Sequence, residues 1–237
     1  LYKKDMHDVP IREDNFDLII KLGELGSRFS VDCESMPGRS VTIPPFTMLK
    51  DEDLLSRDAA CDKLGLDRDG RYVLFSLGPG NLKDISDIGR GLLEEVTQRG
   101  YTAVWARAPI SAADVSLPDS VIQITQFPLL RIMRVFDLGV AAAGYNTCCE
   151  VLQSRMPTLF VPNTEVNDDQ TARAKLVAQS VPAVVSPCET PEQRTKAVER
   201  LLEICTNVIP DAPAINLRGA EHAADEILAL LDTPEGK

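Results

Sequence analysis

Three short segments of the chain stand out by residue type and spacing, each directly after an apolar run. The first is Leu77-Gly-Pro-Gly-Asn81. Glycines at a strand-to-helix turn let backbone N–H groups come close to an anion. The segment is not G-x-G-x-x-G, nor a P-loop, since G-K-[ST] is absent, and a tight turn that needs glycine conformations explains it equally well. The second is Ala142-Ala-Gly-Tyr-Asn-Thr-Cys-Cys-Glu150. A small-residue turn there feeds a helix, so unpaired N–H groups and the positive helix end face whatever lies beyond the strand. A diphosphate fits that place without a metal. Glu150 sits one turn in, where a carboxylate can take two ribose hydroxyls in a bidentate bond. Thr147-x-x-Glu150 is also a formal capping box, which taken alone is its commoner meaning. The third is Pro162-Asn-Thr-Glu-Val-Asn-Asp-Asp-Gln170. Asp169 and Gln170 offer acceptors and a donor, the mix that reads sugar hydroxyls, although two acidic residues at a helix start are ordinarily caps.

These segments need elements to hold them. Strand-like and helix-like runs alternate, the pattern of a parallel sheet with crossover helices. Phe16 to Ile20 reads as a strand and Ser40 to Ile43 as another. Asp51 is read as the cap of an amphipathic stretch that Gly65 ends, more connector than core helix. A regular block then begins: strands at Tyr72–Leu77, Tyr101–Ala106, Ser120–Ile124, Asp137–Ala142, Pro157–Val161 and Ala183–Val185. Helices are expected at about Asp84–Arg99, Asn146–Arg155 and Asp168–Ser180, with a short helical piece from Leu129. Two helices close the chain, Pro191 to about Ile209, with proline in its first turn, and Gly219–Leu231. Six strands make a complete doubly wound domain. In such sheets ligands bind beyond the carboxyl ends of the strands, where all three segments fall.

The chain has 237 residues, 44% hydrophobic and 26% charged, the balance of an ordinary globular protein. At roughly 150 residues per domain that is one large domain or one and a half. No apolar run approaches the ~18 residues of a membrane span, and no signal peptide opens the chain. Leu1 stands where a Met would, as in a chain cut from a longer one. The net charge of −11 argues against nucleic acid as partner. Six cysteines (Cys33, Cys61, Cys148, Cys149, Cys188, Cys205) form no C-x-x-C pair, and only His7 and His222 could assist them, which argues against zinc. They read as reduced, buried, small hydrophobes in a cytoplasmic protein.

The order Gly144-Tyr-Asn-Thr-x-x-Glu150-x-Leu152-x-x-x-x-Pro157-Thr-Leu-Phe-Val-Pro162, then Asp168-Asp-Gln-x-x-Arg173-Ala174, resembles the donor-binding half of glycosyltransferases with the GT-B fold. The closest pattern is the branch of the peptidoglycan N-acetylglucosamine transferase and related family 28 C-terminal domains. The resemblance covers Tyr72 to about Val185 well and Ile43 to Leu66 loosely. It implies an α/β fold, a doubly wound Rossmann-like parallel sheet, with a short remnant of a preceding α/β domain. Residues 1–45 are then the remnant of an N-terminal acceptor domain, 46–71 a linker helix, and 72–237 the donor-binding domain. Gly78, Gly80 and Asn81 would lie against the diphosphate or the acceptor side. Arg107 would be an extra cation for the diphosphate, or a surface ion pair. Gln126 and Phe127, with Pro128, stand where the family makes a backbone contact and an apolar cap on the base, though Phe127 could equally be core. Gly144, Asn146 and Thr147 would receive the phosphates, Glu150 the ribose, and Asn163, Asp169 and Gln170 the transferred sugar. Two departures are visible: Gly78-Pro-Gly80 in place of a Ser-rich or Gly-Gly turn, and Arg173-Ala174 in place of the common Asn-Ala.

The activity so implied is inverting transfer of a sugar from a nucleoside diphosphate, UDP before dTDP, to an acceptor hydroxyl. No cofactor is implied, the nucleotide sugar being substrate, and the absence of a D-x-D motif agrees with metal independence. The general base belongs to the N-terminal acceptor domain or a partner subunit, and His7 sits in no motif that matches it. The acceptor stays open, as does peripheral membrane association. Two rivals remain: a non-catalytic nucleotide-sugar-binding subunit, and a Rossmann oxidoreductase or sugar-nucleotide epimerase. The last is weakened because no G-x-G-x-x-G follows a strand with an acidic residue ~20 positions on.

Overall fold

The computed structural model describes residues 16–23, 25, 40–78, 82–107, 117–163, 168–207 and 216–231. Eight strands are present among them: β1 (Ile19–Leu22), β2 (Ser40–Ile43), β3 (Tyr72–Ser76), β4 (Thr102–Ala106), β5 (Ile122–Ile124), β6 (Leu138–Ala141), β7 (Thr158–Phe160) and β8 (Ala183–Val185). The helices are α1 (Arg57–Leu64), α2 (Leu82–Thr97), α3 (Tyr145–Ser154), α4 (Gln170–Val177), α5 (Pro191–Ile204) and α6 (Gly219–Leu231). Leu129–Val135 is a 3-10 segment. Strands β3 to β8 form one sheet in the order β5-β4-β3-β6-β7-β8, every pair parallel. The chain winds outward from β3 in one direction and from β6 in the other, so the order reverses between those two strands. This is the expected doubly wound α/β sheet.

Alternation along the strands divides the core into two layers. Val73 and Phe75 point to one face, where Leu92, Val96, Val198 and Leu201 of α2 and α5 meet them. Phe75 stacks on Trp105 there, ring centroids 5.8 Å apart. Tyr72 and Leu74 point to the other face, against Met133, Cys148, Cys149, Leu152 and Val177. All of β6 is buried, as a central parallel strand covered on both sides must be.

Several element ends differ from expectation. Strand β1 starts at Ile19, and Phe16 is exposed. Ser56 rather than Asp51 caps α1, its hydroxyl accepting from Ala59 N at 3.3 Å, while Asp51–Asp53 forms a separate 3-10 turn. Nor is α1 a free connector, since Ala60 and Cys61 are fully buried in the core. Helix α5 stops at Ile204, its cap at Cys205. Cys61, Cys148, Cys149 and Cys188 are buried, and Cys205 is half-buried. Cys33 lies outside the described residues. Among those described, no helix is long and apolar enough to cross a membrane.

Strands β1 and β2 pair in parallel and stand apart from the large sheet. Contacts from several elements surround them. Leu25 is buried in the core with Leu54 and Ala143, and α6 returns across β2. At that crossing Gly219 N donates to Pro45 O at 3.2 Å. A Cβ on Gly219 would lie 1.8 Å from the Pro44 carbonyl oxygen, so only glycine admits this approach.

The amino ends of β3 and β6 are fastened by side chains. Asp137 accepts from Tyr72 N at 2.7 Å, and Arg57 donates to Val135 O at 2.7 Å and Gly70 O at 2.6 Å. Replacing Arg57 by alanine strands two partly buried carbonyls and should cost about 1–3 kcal/mol in denaturant unfolding. The opposite end of the sheet, where the candidate site lies, should bind its ligand unchanged in that variant.

Candidate functional site

Because the six strands run parallel, their carboxyl ends share one edge, and the turns after β3 and β6 flank the point where strand order reverses. No crossover from one half covers that gap, which is why doubly wound sheets hold ligands there. Gly78 lies just beyond β3 with φ +78°, and a Cβ there would have open space but a strained backbone. Gly80 and Asn81 fall outside the described residues. Arg107 follows β4, its N–H donating to Ile124 O at 2.9 Å. Gln126 and Phe127 follow β5. The Gln126 amide folds back on its own turn, donating to Phe127 O at 3.2 Å and Pro128 O at 3.4 Å. Phe127 is 65% exposed, so it is not a core residue. An apolar ring held out at the ligand edge of the sheet is available to cover a flat partner such as a base.

The turn after β6 settles the ambiguity of Thr147 and Glu150. The N-cap of α3 is Gly144, with no side-chain cap, and the first helical bond runs from Cys148 N to Gly144 O at 3.0 Å. Thr147 is therefore inside the helix, and the capping-box interpretation fails. Asn146 N and Thr147 N, in the uncapped first turn, have no acceptor among the described residues. They lie at the positive end of α3 and are suited to an anion.

Glu150 shares a helix face with Asn146 and Thr147, three and four positions before it, and helical side chains lean toward the N-terminus. Its side chain makes no hydrogen bond or ion pair with any described residue. Burial alone pushes its carboxyl up to about 7. A desolvated carboxylate without a partner is costly, and hydroxyl donors brought by a ligand would relieve it.

The turn after β7 ends in α4. Asp169 is its N-cap, accepting from Ala172 N at 3.1 Å, so the capping role foreseen for it is real. Gln170 Oε1 accepts from Asn163 N at 2.9 Å, joining both ends of this turn. Residues 164–167 lie outside the described ones. Sequence reasoning noted Arg173 only as a departure from a pattern. The structure makes it the centre of the turn: buried, bidentate to Asp168 at 2.6 and 3.1 Å, and donating to Ala143 O at 3.0 Å. One signal was present. An arginine in the first turn of a helix opposes the helix dipole, so its reason had to be a tertiary one.

The Glu150 shift has a definite sign. An unfolded glutamate titrates near 4.5, the folded one near 7. Between those values the folded chain holds a proton that the unfolded chain releases, so this contribution to stability is full below about 4.5 and is lost as pH rises through about 7. Glu150→Gln should match the wild type at pH 4.5 and exceed it by about 2–3 kcal/mol at pH 8 in denaturant titrations. A glutamate held by a hidden cation would give the opposite order.

The chain is similar to known proteins in both sequence and fold. The family model of the glycosyltransferase family 28 C-terminal domain matches residues 80–227. A UDP-N-acetylglucosamine--N-acetylmuramyl-(pentapeptide) pyrophosphoryl-undecaprenol N-acetylglucosamine transferase of Rhodococcus erythropolis is 28% identical over 136 residues, 54% of this chain and 34% of the relative. The protein of the same name from Corynebacterium efficiens is 25% identical over 181 residues, 74% of this chain and 49% of the relative. The chain thus spans a third to a half of these curated relatives. Among solved structures, MurG of Acinetobacter baumannii matches 90% of this chain and 60% of its own, with TM-score 0.53 and 16% identity. CalG4, the calicheamicin glycosyltransferase, matches 92% of this chain and 53% of its own, with TM-score 0.57 and 16% identity. At such identities these structures speak for the fold alone.

Proposed function

The chain belongs to the glycosyltransferase family 28 C-terminal domain family, and from that membership we propose that it is the donor half of an enzyme moving a sugar from UDP to an acceptor hydroxyl. The family leaves the oxidoreductase or epimerase alternative without support. The observation that carries the reading is Glu150, a half-buried carboxylate with no side-chain partner among the described residues, on the face of α3 that bears its uncapped N-terminus. An anion site and a hydroxyl-binding carboxylate one turn apart are what the diphosphate and ribose of a nucleotide require.

In this mechanism the first-turn N–H groups of α3, at Asn146 and Thr147, receive the diphosphate with no metal. Gly78 lines the opposite turn, Arg107 adds a cation, and Phe127 covers the base, with the Gln126 backbone beside it. Gly80 and Asn81 belong to the same proposed turn. Asn163, Asp169 and Gln170 face the sugar. The acceptor oxygen forms a bond to the anomeric carbon as the bond to the diphosphate oxygen breaks on the opposite side, inverting the configuration. The proton leaves the acceptor hydroxyl for a base in the preceding acceptor domain or a partner subunit, and the electron pair goes to the leaving diphosphate. The helix end favours that charge as it develops and needs no reorganisation. Membrane contact, where the acceptor is lipid-linked, belongs to that preceding domain.

Calorimetry with UDP tests the donor site directly. UDP should bind in EDTA as well as without it. Glu150→Ala should weaken UDP by about 1.5–3 kcal/mol, the usual worth of a charged hydrogen bond. If its melting temperature alone moved, Glu150 would not be the ribose ligand. Turnover of a UDP-sugar once the acceptor domain is supplied separates an enzyme from a non-catalytic binding subunit.

A further inference from the structure

Arg173 is a cation in an unlikely place. It is 3% exposed, it stands in the first turn of α4 where the helix dipole opposes it, and its principal partner Asp168 is itself partly exposed. A buried ion pair of this kind is weak evidence for stability, since apolar residues of similar volume commonly serve as well. What the guanidinium does, and an apolar side chain could not, is hydrogen-bond to two separate turns. Its Nη1 and Nη2 hold both oxygens of Asp168, next to the Asp169 cap, at 3.1 and 2.6 Å. Its Nη1 also donates to the carbonyl of Ala143, the residue before the Gly144 cap of α3, at 3.0 Å. Its Cζ lies 5.7 Å from the ring centroid of Tyr145, whose hydroxyl donates to Gly23 O at 2.7 Å.

We propose that Arg173 is a positioning residue, which fixes the sugar-facing turn of Asn163, Asp169 and Gln170 relative to the diphosphate-facing turn of Gly144 to Thr147. This rests on the donor-site reading above. The two turns come from different crossovers, after β7 and after β6, and the Arg173 side chain hydrogen-bonds to both. The rigid fork of arginine suits this task, because its donors reach a carboxylate and a carbonyl in fixed directions. Lysine would keep the charge without the directions. Arg173 touches neither diphosphate nor sugar in this scheme. Its effect is on how well the bound nucleotide's sugar meets its partners.

The test compares UDP with UDP-N-acetylglucosamine, UDP-glucose and UDP-galactose by calorimetry on wild type, Arg173→Gln, Arg173→Lys and Asp168→Asn. Asp168→Asn weakens the same bridge from its exposed side and guards against loss of folding in the buried variants. UDP affinity should stay within about threefold of wild type, while discrimination among the three sugars should fall by about tenfold or more, the scale expected when a binding group is misplaced by a fraction of an ångström. Arg173→Lys should recover little of it. Lowered melting temperature with sugar discrimination intact would make Arg173 structural only and overturn the proposal. Equal loss of UDP and UDP-sugar affinity, or no discrimination in the wild type, would overturn it too. Failure of wild type to bind UDP at all would instead remove the donor-site reading itself.

Discussion

The pairing of β3 with β6 is the contact on which the rest depends. These strands lie side by side in the sheet but far apart in sequence, with Val73 opposite Leu138 and Ser76 opposite Ala141. Crossovers leave β3 toward β4 and β6 toward β7, in opposite directions, so neither covers the gap between them. Gly78 and Gly144 stand on its two sides. The clamp of Arg57, Asp137 and Tyr72 N secures the far ends of the same strands, which fixes the register on which the turns rely.

Around that gap the chain departs from local rules. A helix start ordinarily carries a cap, and α3 has Gly144. A half-buried carboxylate ordinarily has a partner, and Glu150 has none among the described residues. A first-turn arginine is ordinarily avoided, and Arg173 is there and buried. Other elements follow such rules: α5 begins with a Thr190–Gln193 capping box and Pro191, and α1 ends at Gly65 in the left-handed region. Three such departures fall at this one edge of the sheet, where local preference gives way to tertiary placement.

Much of this was legible in the residue order. The alternation of strand and helix signals gave the doubly wound class, and the bounds of α6 came out as read, because Gly219 and the end of its apolar period are local features. Caps were harder. Asp51 and Thr147 each look like a cap in sequence, yet Ser56 and Gly144 hold those positions. A cap is chosen by where the backbone leaves the extended region, and the packing of the helix behind it decides that. Phe127 could have been core or surface, and only the end of β5 at Ile124 leaves it exposed.

Periodicity, glycine turns and the spacing of Gly144, Glu150, Asp169 and Gln170 are properties of neighbouring residues, so the sequence by itself determined the fold class and the segments that could bind. Desolvation and partnership are properties of residues brought together from distant segments. The partial burial of Glu150, the reach of Arg173 to Ala143 across thirty positions, and the contact of Tyr145 with Gly23 all required the folded sheet. Tertiary structure alone decided them, because a side chain's dielectric surroundings and its partners depend on the segments folded around it.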